Sequence, residues 1–456
     1  MPTGRSVIHW FRRDLRLYDN SALTAALDSG DPVLPVFLLD RVLLARPTVG
    51  ERRRRFLRTA LRDLDRQLRA RGGRLLVLGT EDVARELNRL AHDSGAWAVY
   101  FNRDYTPYGR ERDTRTTRGM QMTGIVTMAF DDLDLVAPYR TLDEEGRLPA
   151  TFEDYFRRWL DVLDLPSSPP EPNAAAGFTP FGEVPASTAG WEPELLADPT
   201  DSTWPGASRP LALGRLDAFA FTALAGYGEG PALAPEATSR LSAALKFGTL
   251  SVREVARGVI ELGGHRPDAA EGIERYLMAL ARRDFAHHLL FADPAPARPG
   301  AGTEGGGAAF DAWAEGRSGL PLADAAMRHL AAEGWIPEPA RAAAAVALVQ
   351  VLGVPWPRGA DHFMRHLVDA EVAANAIAWR AVAGATGADA AVAADRWADA
   401  AELHDPDGAY VRRWVPELAG MPGEWVHRPW QAPVEVQEAA ECVVGRDYPA
   451  PVAGAG

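Results

Sequence analysis

The chain is poor in cysteine and contains no long apolar run. Its 456 residues include one cysteine, Cys442, which excludes an internal disulfide framework and a cysteine-rich metal site. No run of about 18 apolar residues occurs, so we expect no transmembrane helix. The sequence does not open on a basic-then-apolar leader, because Arg12 and Arg13 interrupt the first apolar segment. These absences predict a cytoplasmic protein that holds no metal and crosses no membrane.

The charge balance counts against tight nucleic-acid binding. The net charge is −13, from 62 acidic and 49 basic residues. From residue 231 onward, 20 Lys and Arg residues stand against 29 Asp and Glu residues, and Lys246 is the only lysine there. Tight binding of DNA draws on Lys and Arg contacts to several phosphates. We therefore expect a small-molecule or protein partner rather than DNA.

Apolar segments alternate with amphipathic stretches over the first 130 residues. The candidates are four strands and two helices, at 6–11, 33–39, 74–78, 97–101, 51–69 and 81–91. This alternation predicts a doubly wound parallel sheet, a Rossmann-like α/β domain. No GxGxxG motif follows the first strand, so a nicotinamide-dinucleotide site has little support.

Composition divides the rest of the chain into two parts. Residues 131–205 are rich in Pro, Ser, Ala and Gly, which predicts an interdomain linker laid over the surface. From 206 to 456 helical periodicity dominates, which predicts an all-α domain. The predicted domains are thus 1–130 and 206–456, joined by the linker.

A small polar cluster opens one helical run of the second domain. Thr238-Ser-Arg-Leu-Ser242 is followed by apolar residues at helical spacing, which predicts a helix that starts here. The first N–H groups of a helix lack intrahelical partners and attract anions, so a phosphate could bind there. A plain helix N-cap is the alternative interpretation.

Motifs along the chain resemble those of the photolyase and cryptochrome family. They occur in the family's order: Phe11-Arg-Arg-Asp-Leu-Arg16, Thr238–Ser242 with Lys246-Phe-Gly-Thr-Leu-Ser251, Arg283-Asp-Phe285, the block 310–335, Asp369-Ala-Glu-Val-Ala-Ala-Asn375 with Trp379, and Trp414-Val-Pro-Glu-Leu418. The resemblance covers nearly the whole chain. It implies an α/β antenna domain, followed by an all-helical domain that binds FAD and absorbs blue light.

The resemblance also implies which residues contact FAD. They are Tyr227, Thr238, Ser239, Arg240, Leu241, Ser242, Tyr276, Arg283, Trp335, Arg341, Asp369, Glu371 and Asn375. Those up to Ser242 would hold the phosphates, whereas Arg283, Arg341 and Asp369 would orient one another at the isoalloxazine edge. Glu371 stands where the family has Asp. Asn375 would face flavin N5, where an amide can both donate and accept. For each charged residue alone, an ordinary salt bridge is the alternative.

Tryptophans at family positions suggest an electron relay. Trp379 and Trp356 match the inner and middle members, and together with Asn375 they are the candidate catalytic residues. The outer member falls near Thr303, and Trp397 or Trp313 are the possible substitutes. The alternative is that these indoles are core aromatics.

A second, light-gathering cofactor is also implied by the resemblance. Asp104 and the run Arg110-Glu-Arg-Asp113, together with Lys246, are similar to members that bind a deazaflavin. The amide and acid of folate-binding members fall on Tyr108 and Gly109, which cannot replace them. We expect a deazaflavin-type antenna rather than folate, with an empty cleft as the alternative.

The chain departs from the family where DNA-repair chemistry resides. At the substrate-pocket positions, Ala279 stands where the family has a glutamate and Arg282 where it has a stacking tryptophan. Glu338, within Pro337-Glu-Pro339, falls in the place of a run that carries an amide. Ala342 replaces a methionine, and Ala381 replaces a second tryptophan. A DNA-contacting basic segment becomes Asp395-Arg-Trp-Ala-Asp399, and Pro337 replaces a histidine needed for (6-4) photoproduct repair.

Three functional hypotheses follow from these comparisons of motifs. The first is a flavoprotein that performs photoinduced electron transfer, as a photoreceptor or specialised redox enzyme, without repairing pyrimidine dimers. The second is a DNA photolyase whose substrate contacts have moved. The third is a light-independent binding module that keeps the fold without flavin.

Overall fold

The computed structural model describes residues 5–166, 192, 196, 207–229, 233–295, 307–384 and 401–452. Its single sheet has five parallel strands in the order β3-β2-β1-β4-β5, which confirms the predicted doubly wound topology. The strands are β1 (Ser6–Phe11), β2 (Val33–Asp40), β3 (Leu76–Thr80), β4 (Ala96–Asn102) and β5 (Val126–Phe130).

Ten helices accompany or follow this sheet up to residue 295 of the described chain. They are α1 (Ser21–Asp28), α2 (Arg41–Leu44), α3 (Glu51–Arg69), α4 (Val83–Ser94), α5 (Pro107–Met122), α6 (Phe152–Val162), α7 (Arg209–Thr222), α8 (Ser242–Phe247), α9 (Val252–Gly264) and α10 (Ala270–Ala292). Strands β1 and β2 are buried along their whole length, as expected for a parallel sheet covered on both faces.

The C-terminal part is largely helical, as predicted. Its described helices are α11 (Gly307–Ala314), α12 (Pro321–Glu333), α13 (Glu338–Val346), α14 (Trp356–His366), α15 (Val372–Gly384), α16 (Ala409–Trp414) and α17 (Val434–Ala439). A π-helical turn at Ala347–Val351 follows α13. None of the helices in the described ranges is long and apolar enough to cross a membrane.

The chain forms two compact units whose limits differ from those expected from composition. The first comprises 1–49, 53–225 and 240–295, and the second comprises 50–52, 226–239 and 296–456. Helices α7, α8, α9 and α10, which periodicity assigns to the helical domain, therefore belong to the unit that contains the sheet.

Buried ion pairs explain why α9 joins the sheet. Asp19 adopts a left-handed backbone conformation (φ 49°), and its carboxylate pairs with Arg253 at 3.1 Å and Arg257 at 3.0 Å on α9. Asp132, which follows β5, pairs with Arg253 at 2.5 Å and also with Arg16. Burial by itself would raise the pKa of Asp132, but the two guanidiniums outweigh it and lower that pKa to about 2.

The first part of the predicted linker is not a surface connector. Asp134, Tyr155 and Trp159 are fully or almost fully buried, and α6 packs against α10. The Trp159 indole N–H donates to Asp284 of α10 at 3.0 Å. The prediction was wrong for 131–166, because the Pro- and Ser-rich composition belongs to the later part of the segment. That later part, 167–205, lies outside the described residues apart from 192 and 196.

One histidine on the central strand is buried without a hydrogen bond. His9 is 0 % exposed, and neither ring nitrogen has a hydrogen-bond partner among the residues that the structure describes. Its Nε2 is 3.7 Å from Oδ2 of Asp14. Burial lowers the pKa of His9 to about 4, an effect that Asp14 opposes only in part.

We expect His9→Leu to stabilise the protein and to weaken its acid sensitivity. The folded pKa lies below the ordinary 6.5, so the unfolded chain takes up the extra proton, and stability falls as pH drops from 6.5 to about 4. That loss amounts to roughly 3 kcal/mol. Removing the two unpaired ring nitrogens should raise the free energy of unfolding by about 1–3 kcal/mol at pH 7.

Urea unfolding at pH 7 and pH 5, followed by circular dichroism, measures both effects. His265→Leu is the control, because His265 is exposed at the end of α9. Identical pH dependence in wild type and His9→Leu would contradict the prediction.

Candidate functional site

A buried carboxylate in the second unit keeps one oxygen unused. Nη2 of Arg341, on α13, donates to Oδ2 of Asp369 at 2.7 Å, and Nε of the same guanidinium donates to the Ile336 carbonyl at 3.0 Å. The Asp369 side chain is 1 % exposed, and its Oδ1 has no hydrogen-bond partner within the described part of the chain. An unpaired buried acceptor costs free energy, so this oxygen suits a donor on a ligand.

The first turn of α15 fixes the orientation of an amide. The Asn375 backbone N–H donates to the Glu371 carbonyl at 2.9 Å, while the Glu371 carboxylate accepts from the Val372 N–H at 3.1 Å. Nδ2 of Asn375 donates to the Ala360 carbonyl at 3.1 Å. Because a carbonyl can only accept, the NH₂ group must be the part that faces Ala360. The amide oxygen of Asn375 is therefore the group that can serve a ligand.

Trp379 packs among other rings at the centre of the second unit. It is 2 % exposed, and its ring contacts are edge-to-face, with Phe363 at 5.1 Å and Trp313 at 6.3 Å. Trp356, the first residue of α14, is half-buried against the same core. The indole in contact with Trp379 is thus Trp313, which sequence reasoning named only as a substitute. Thr303 and Trp397 lie outside the described residues.

Tyr227, Trp335 and Glu338 also lie in the second unit. Burial raises the pKa of Tyr227, and the negative charge of Glu338 raises it further. Trp335 is 8 % exposed and contacts His329 edge-to-face at 6.3 Å. The negative charge of Glu338 therefore acts on Tyr227, a predicted flavin contact. The position of Glu338 between two prolines gave no indication of this interaction.

The predicted helix at Thr238 begins later than expected. Helix α8 starts at Ser242, with Leu241 as its N-cap and no side-chain capping bond. Arg240 has φ of +51°, a left-handed conformation that an L-residue cannot hold inside a right-handed helix. Thr238 and Ser239 are half-buried in the turn before it. The polar cluster forms a strained turn rather than the first turn of a helix, and such strain is often found at ligand sites.

Arg283 of the first unit is held by acids that sequence reasoning missed. Its Nη1 donates to Asp134 at 2.9 Å and to the Leu133 carbonyl at 3.0 Å, and it lies 3.3 Å from Asp284. His287 Nδ1 is 2.6 Å from the same oxygen of Asp134. Asp134, beyond β5, lies in none of the motifs, and Asp284 lies within Arg283-Asp-Phe285 without a role that the motif assigns to it.

The two acids beside Arg283 are shifted in opposite directions. Burial would raise the pKa of Asp134, but His287 and Arg283 outweigh it and lower the pKa. Burial and the charge of Asp134 raise the pKa of Asp284. Asp284 accepts from the Leu135 N–H at 2.9 Å. Arg283 is thus fixed by the Asp134 carboxylate, next to Asp284, whose raised pKa makes it the more easily protonated of the two acids.

Tyr276, on the same helix as Arg283, is 5 % exposed and packs on Phe219 at 5.0 Å.

The predicted substrate positions carry small or redirected side chains. Ala279 is half-buried, whereas Ala342 and Ala381 are exposed. Arg282 is exposed, and its guanidinium lies 4.1 Å from the centre of the Phe152 ring in a cation–π contact. None of the three alanines can donate or accept a side-chain hydrogen bond. Residues 395–399 lie outside the described chain.

The predicted antenna residues are engaged within the first unit. Asp104 lies 3.6 Å from Arg13 and 3.7 Å from Arg112, whose charges outweigh burial and lower its pKa. Arg110 donates to the Phe291 carbonyl at 2.8 Å. The Lys246 carbonyl accepts from Nε of Arg13 at 3.5 Å. A small recess beside Asp104 opens at the carboxyl ends of β1 and β4, where the strand order reverses.

Comparisons with known proteins match almost the entire chain. Residues 7–174 match the DNA photolyase family model, and residues 276–455 match the FAD binding domain of DNA photolyase. The chain is 33 % identical to a deoxyribodipyrimidine photo-lyase of Agrobacterium fabrum over 98 % of its length and 94 % of the relative. It is 31 % identical to cryptochrome-1 of Arabidopsis thaliana over 99 % of its length and 69 % of that protein. A crystal structure of a class III photolyase from Agrobacterium tumefaciens superposes with a TM-score of 0.84 at 31 % identity, covering 100 % and 95 % of the two chains.

We expect Gly359→Ala to displace the Trp379 ring. A methyl group on Gly359 of α14 would overlap Cη2 of Trp379 and press on Cδ2 of Leu348. Such overpacking costs about 1–3 kcal/mol, against a gain in helix propensity of about 1 kcal/mol, so we expect a net loss of stability of up to about 2 kcal/mol.

Denaturant unfolding and near-ultraviolet circular dichroism test this. Gly384→Ala, at the end of α15, is the matched control, because a methyl group there meets nothing within 4 Å. It should be neutral or stabilising. Equal stability and equal aromatic signals for the two variants would refute the packing argument.

Proposed function

The chain belongs to the photolyase and cryptochrome family of FAD-binding proteins, and from this premise we propose that it performs photoinduced electron transfer without repairing pyrimidine dimers. The observation that carries the proposal is a contrast between two groups of side chains. Those predicted to hold FAD include a buried, oriented carboxylate with an unused acceptor at Asp369. Those predicted to meet a DNA lesion are three alanines, the carboxylate of Glu338 and an arginine that lies on Phe152.

The residues present fit an FAD cofactor. The unused Oδ1 of Asp369 is a buried acceptor that suits the N–H of a flavin ring. The predicted contacts that lie together in the second unit are Tyr227, Thr238, Ser239, Trp335, Arg341, Asp369, Glu371 and Asn375. When bound, FAD supplies blue-light absorption and one-electron chemistry.

The protein's own groups would orient the ring and supply charge. Arg341 holds Asp369 in one orientation through the 2.7 Å ion pair, and Asp134 does the same for Arg283 at 2.9 Å. A fixed guanidinium stabilises negative charge on a neighbouring group without reorganisation. The amide oxygen of Asn375 accepts a hydrogen bond, since its NH₂ group is committed to Ala360.

The substrate positions support the absence of dimer repair. Ala279 cannot hydrogen-bond a damaged base, and loss of a positioned hydrogen-bond partner costs about 2.7–4 kcal/mol in a reaction. Arg282 engages Phe152 instead of offering an aromatic face, and loss of base stacking costs about 1–3 kcal/mol per base. The excess of acidic residues supports a small polar molecule or a protein, rather than DNA, as the partner.

DNA photolyase activity is the second candidate. The full-length match to the Agrobacterium fabrum photo-lyase favours it, because that relative is similar over both units. Substrate contacts would then have moved to other residues.

A deazaflavin-type antenna stays a prediction. Two of its predicted contacts, Asp104 and Arg110, are bonded to other groups of the first unit. Their contacts therefore lend it no support.

Illumination with damaged DNA decides between the two candidates. The purified yellow protein is irradiated with blue light in the presence of reductant and an oligonucleotide containing a cyclobutane dimer, and restored bases are scored by chromatography. We expect no repair, because neither Ala279 nor Arg282 can stabilise the dimer. The Agrobacterium fabrum relative is the positive control. Efficient repair by this chain would overturn the proposal, and a colourless protein would favour a binding module without flavin.

Photoreduction tests the electron-donating residues. We expect Trp379→Phe to slow photoreduction of the bound flavin about tenfold or more, because this indole is buried at the centre of the aromatic cluster. Trp313→Phe and Trp356→Phe identify the next donor. Trp97→Phe is the control, since Trp97 lies on β4 and donates to Asp31. Bleaching of flavin absorbance under blue light measures the rates. A Trp379→Phe variant as fast as wild type would eliminate the relay.

A further inference from the structure

A tyrosine, a histidine and a glutamate form a chain of polar groups in the second unit, and none of them is a predicted flavin contact. Tyr410 of α16 is 5 % exposed, and its hydroxyl is 2.9 Å from Nδ1 of His329 on α12. Nε2 of His329 is 3.3 Å from Oε2 of Glu333, one turn further along α12. The His329 side chain is fully buried, whereas that of Glu333 is 32 % exposed. The chain of groups thus leads from a buried phenol to a carboxylate in contact with water.

The surroundings of His329 determine its tautomer. The negative charge of Glu333, whose Oε2 is 3.3 Å from Nε2, favours the proton on that nitrogen, and Nδ1 then accepts from the Tyr410 hydroxyl. Burial, together with the charges of Asp405 and Glu333, raises the pKa of Tyr410 well above its usual value of 10. The phenol therefore keeps its proton near neutral pH, and the base within reach of it is His329.

Aromatic rings flank the histidine and would stabilise it in its charged form. The imidazole of His329 stacks on the indole of Trp414 at 4.1 Å, with 11° between the planes, and lies 6.3 Å from Trp335. The face of an indole carries negative partial charge, which attracts a cation. A proton that reached His329 would place its positive charge between this face and the Glu333 carboxylate. Both contacts favour that product.

We propose that Tyr410 is a redox-active tyrosine whose oxidation is coupled to proton transfer to His329. The phenolic O–H bond of Tyr410 breaks, an N–H bond forms at Nδ1 of His329, and one electron passes to an oxidised indole of the adjacent stack, Trp414. The products are a neutral tyrosyl radical, an imidazolium and the restored neutral indole. Bound FAD, when illuminated, would supply the oxidising equivalent that the indole passes on, so this inference rests on the proposed function.

A second buried Tyr–His pair provides an internal comparison. In the first unit, the Tyr155 hydroxyl is 3.0 Å from Nδ1 of His288, which Thr141 also approaches at 2.9 Å. Nε2 of His288 faces the Val136 carbonyl at 3.0 Å, and burial lowers the pKa of His288 to about 4. Oδ2 of Asp134 is 3.6 Å from the same Nε2, so a carboxylate accompanies both histidines. The ring neighbour of His288 is Tyr155, whereas His329 stacks on the indole of Trp414. The two pairs thus differ in the adjacent indole, which the proposal requires as the electron acceptor.

Freeze-trapped EPR spectroscopy tests the assignment in the purified flavin-containing protein. In one arm, a blue flash excites the bound flavin. In the other, flash-generated tris(bipyridine)ruthenium(III) oxidises the protein without using the flavin. Ring-deuterated tyrosine distinguishes a tyrosyl from a tryptophanyl radical, because deuteration changes the hyperfine pattern of the tyrosyl radical alone.

We expect a tyrosyl radical in wild type and a yield lower by about tenfold or more in Tyr410→Phe and His329→Gln. Glutamine keeps a hydrogen-bond acceptor for the phenol but is no base, so it separates proton transfer from simple hydrogen bonding. Tyr155→Phe should leave the yield unchanged. If His329→Gln does not fold, Glu333→Gln replaces it and should lower the yield, because the imidazolium loses its carboxylate.

An undiminished tyrosyl signal in Tyr410→Phe would overturn the assignment. A signal lost in Tyr410→Phe but kept in His329→Gln, or in Glu333→Gln where that variant replaces it, would overturn the coupling to proton transfer. A protein without flavin would contradict the proposed function alone, because the ruthenium arm still decides the role of Tyr410.

Discussion

Buried carboxylates that follow β5 hold the first unit together. Asp132 pairs with Arg253 of α9, and Asp134 pairs with Arg283 of α10. The carboxylate side chains are at most 1 % exposed, so loss of the arginine would leave an uncompensated buried charge at a cost of up to about 3–5 kcal/mol. Asp284 accepts from the Leu135 N–H in the segment that follows β5, and its other oxygen lies 3.3 Å from the Arg283 guanidinium. The position of Arg283, a predicted flavin contact, therefore depends on Asp134, 149 residues earlier in the chain, as much as on its own helix.

The second unit uses a different device to position its functional groups. Arg341, Asp369 and Asn375 are oriented by single hydrogen bonds to one another or to backbone carbonyls, and they lie at helix ends or in loops. Trp379 is fixed by packing, with Gly359 leaving room for its ring. A polar side chain that can rotate is held in one orientation by hydrogen bonds or ion pairs. A large buried ring is held in place by close packing alone. Family membership follows from both units, but the choice between repair and signalling depends on a few side chains within them.

Sequence reasoning succeeded where a pattern is local and failed where burial decides. The alternation of strands and helices up to Phe130 gave the sheet, because period and polarity follow directly from which face is covered. Residues 131–166 were misassigned, because an average over a Pro-rich window hid the buried Tyr155 and Trp159. The helix start predicted at Thr238 moved to Ser242, because nothing in the residue types announces the left-handed Arg240.

The fold class, the order of the motifs and the residue types available to a flavin can be read from the sequence alone, because short stretches of chain carry each of them. The partners emerge only when the chain folds: Asp134 for Arg283, Trp313 for Trp379, and His329 for Tyr410. The last of these pairs is separated by 81 residues of chain. Pairing over such separations is selected by packing and by the cost of unpaired buried charge, which no local pattern encodes.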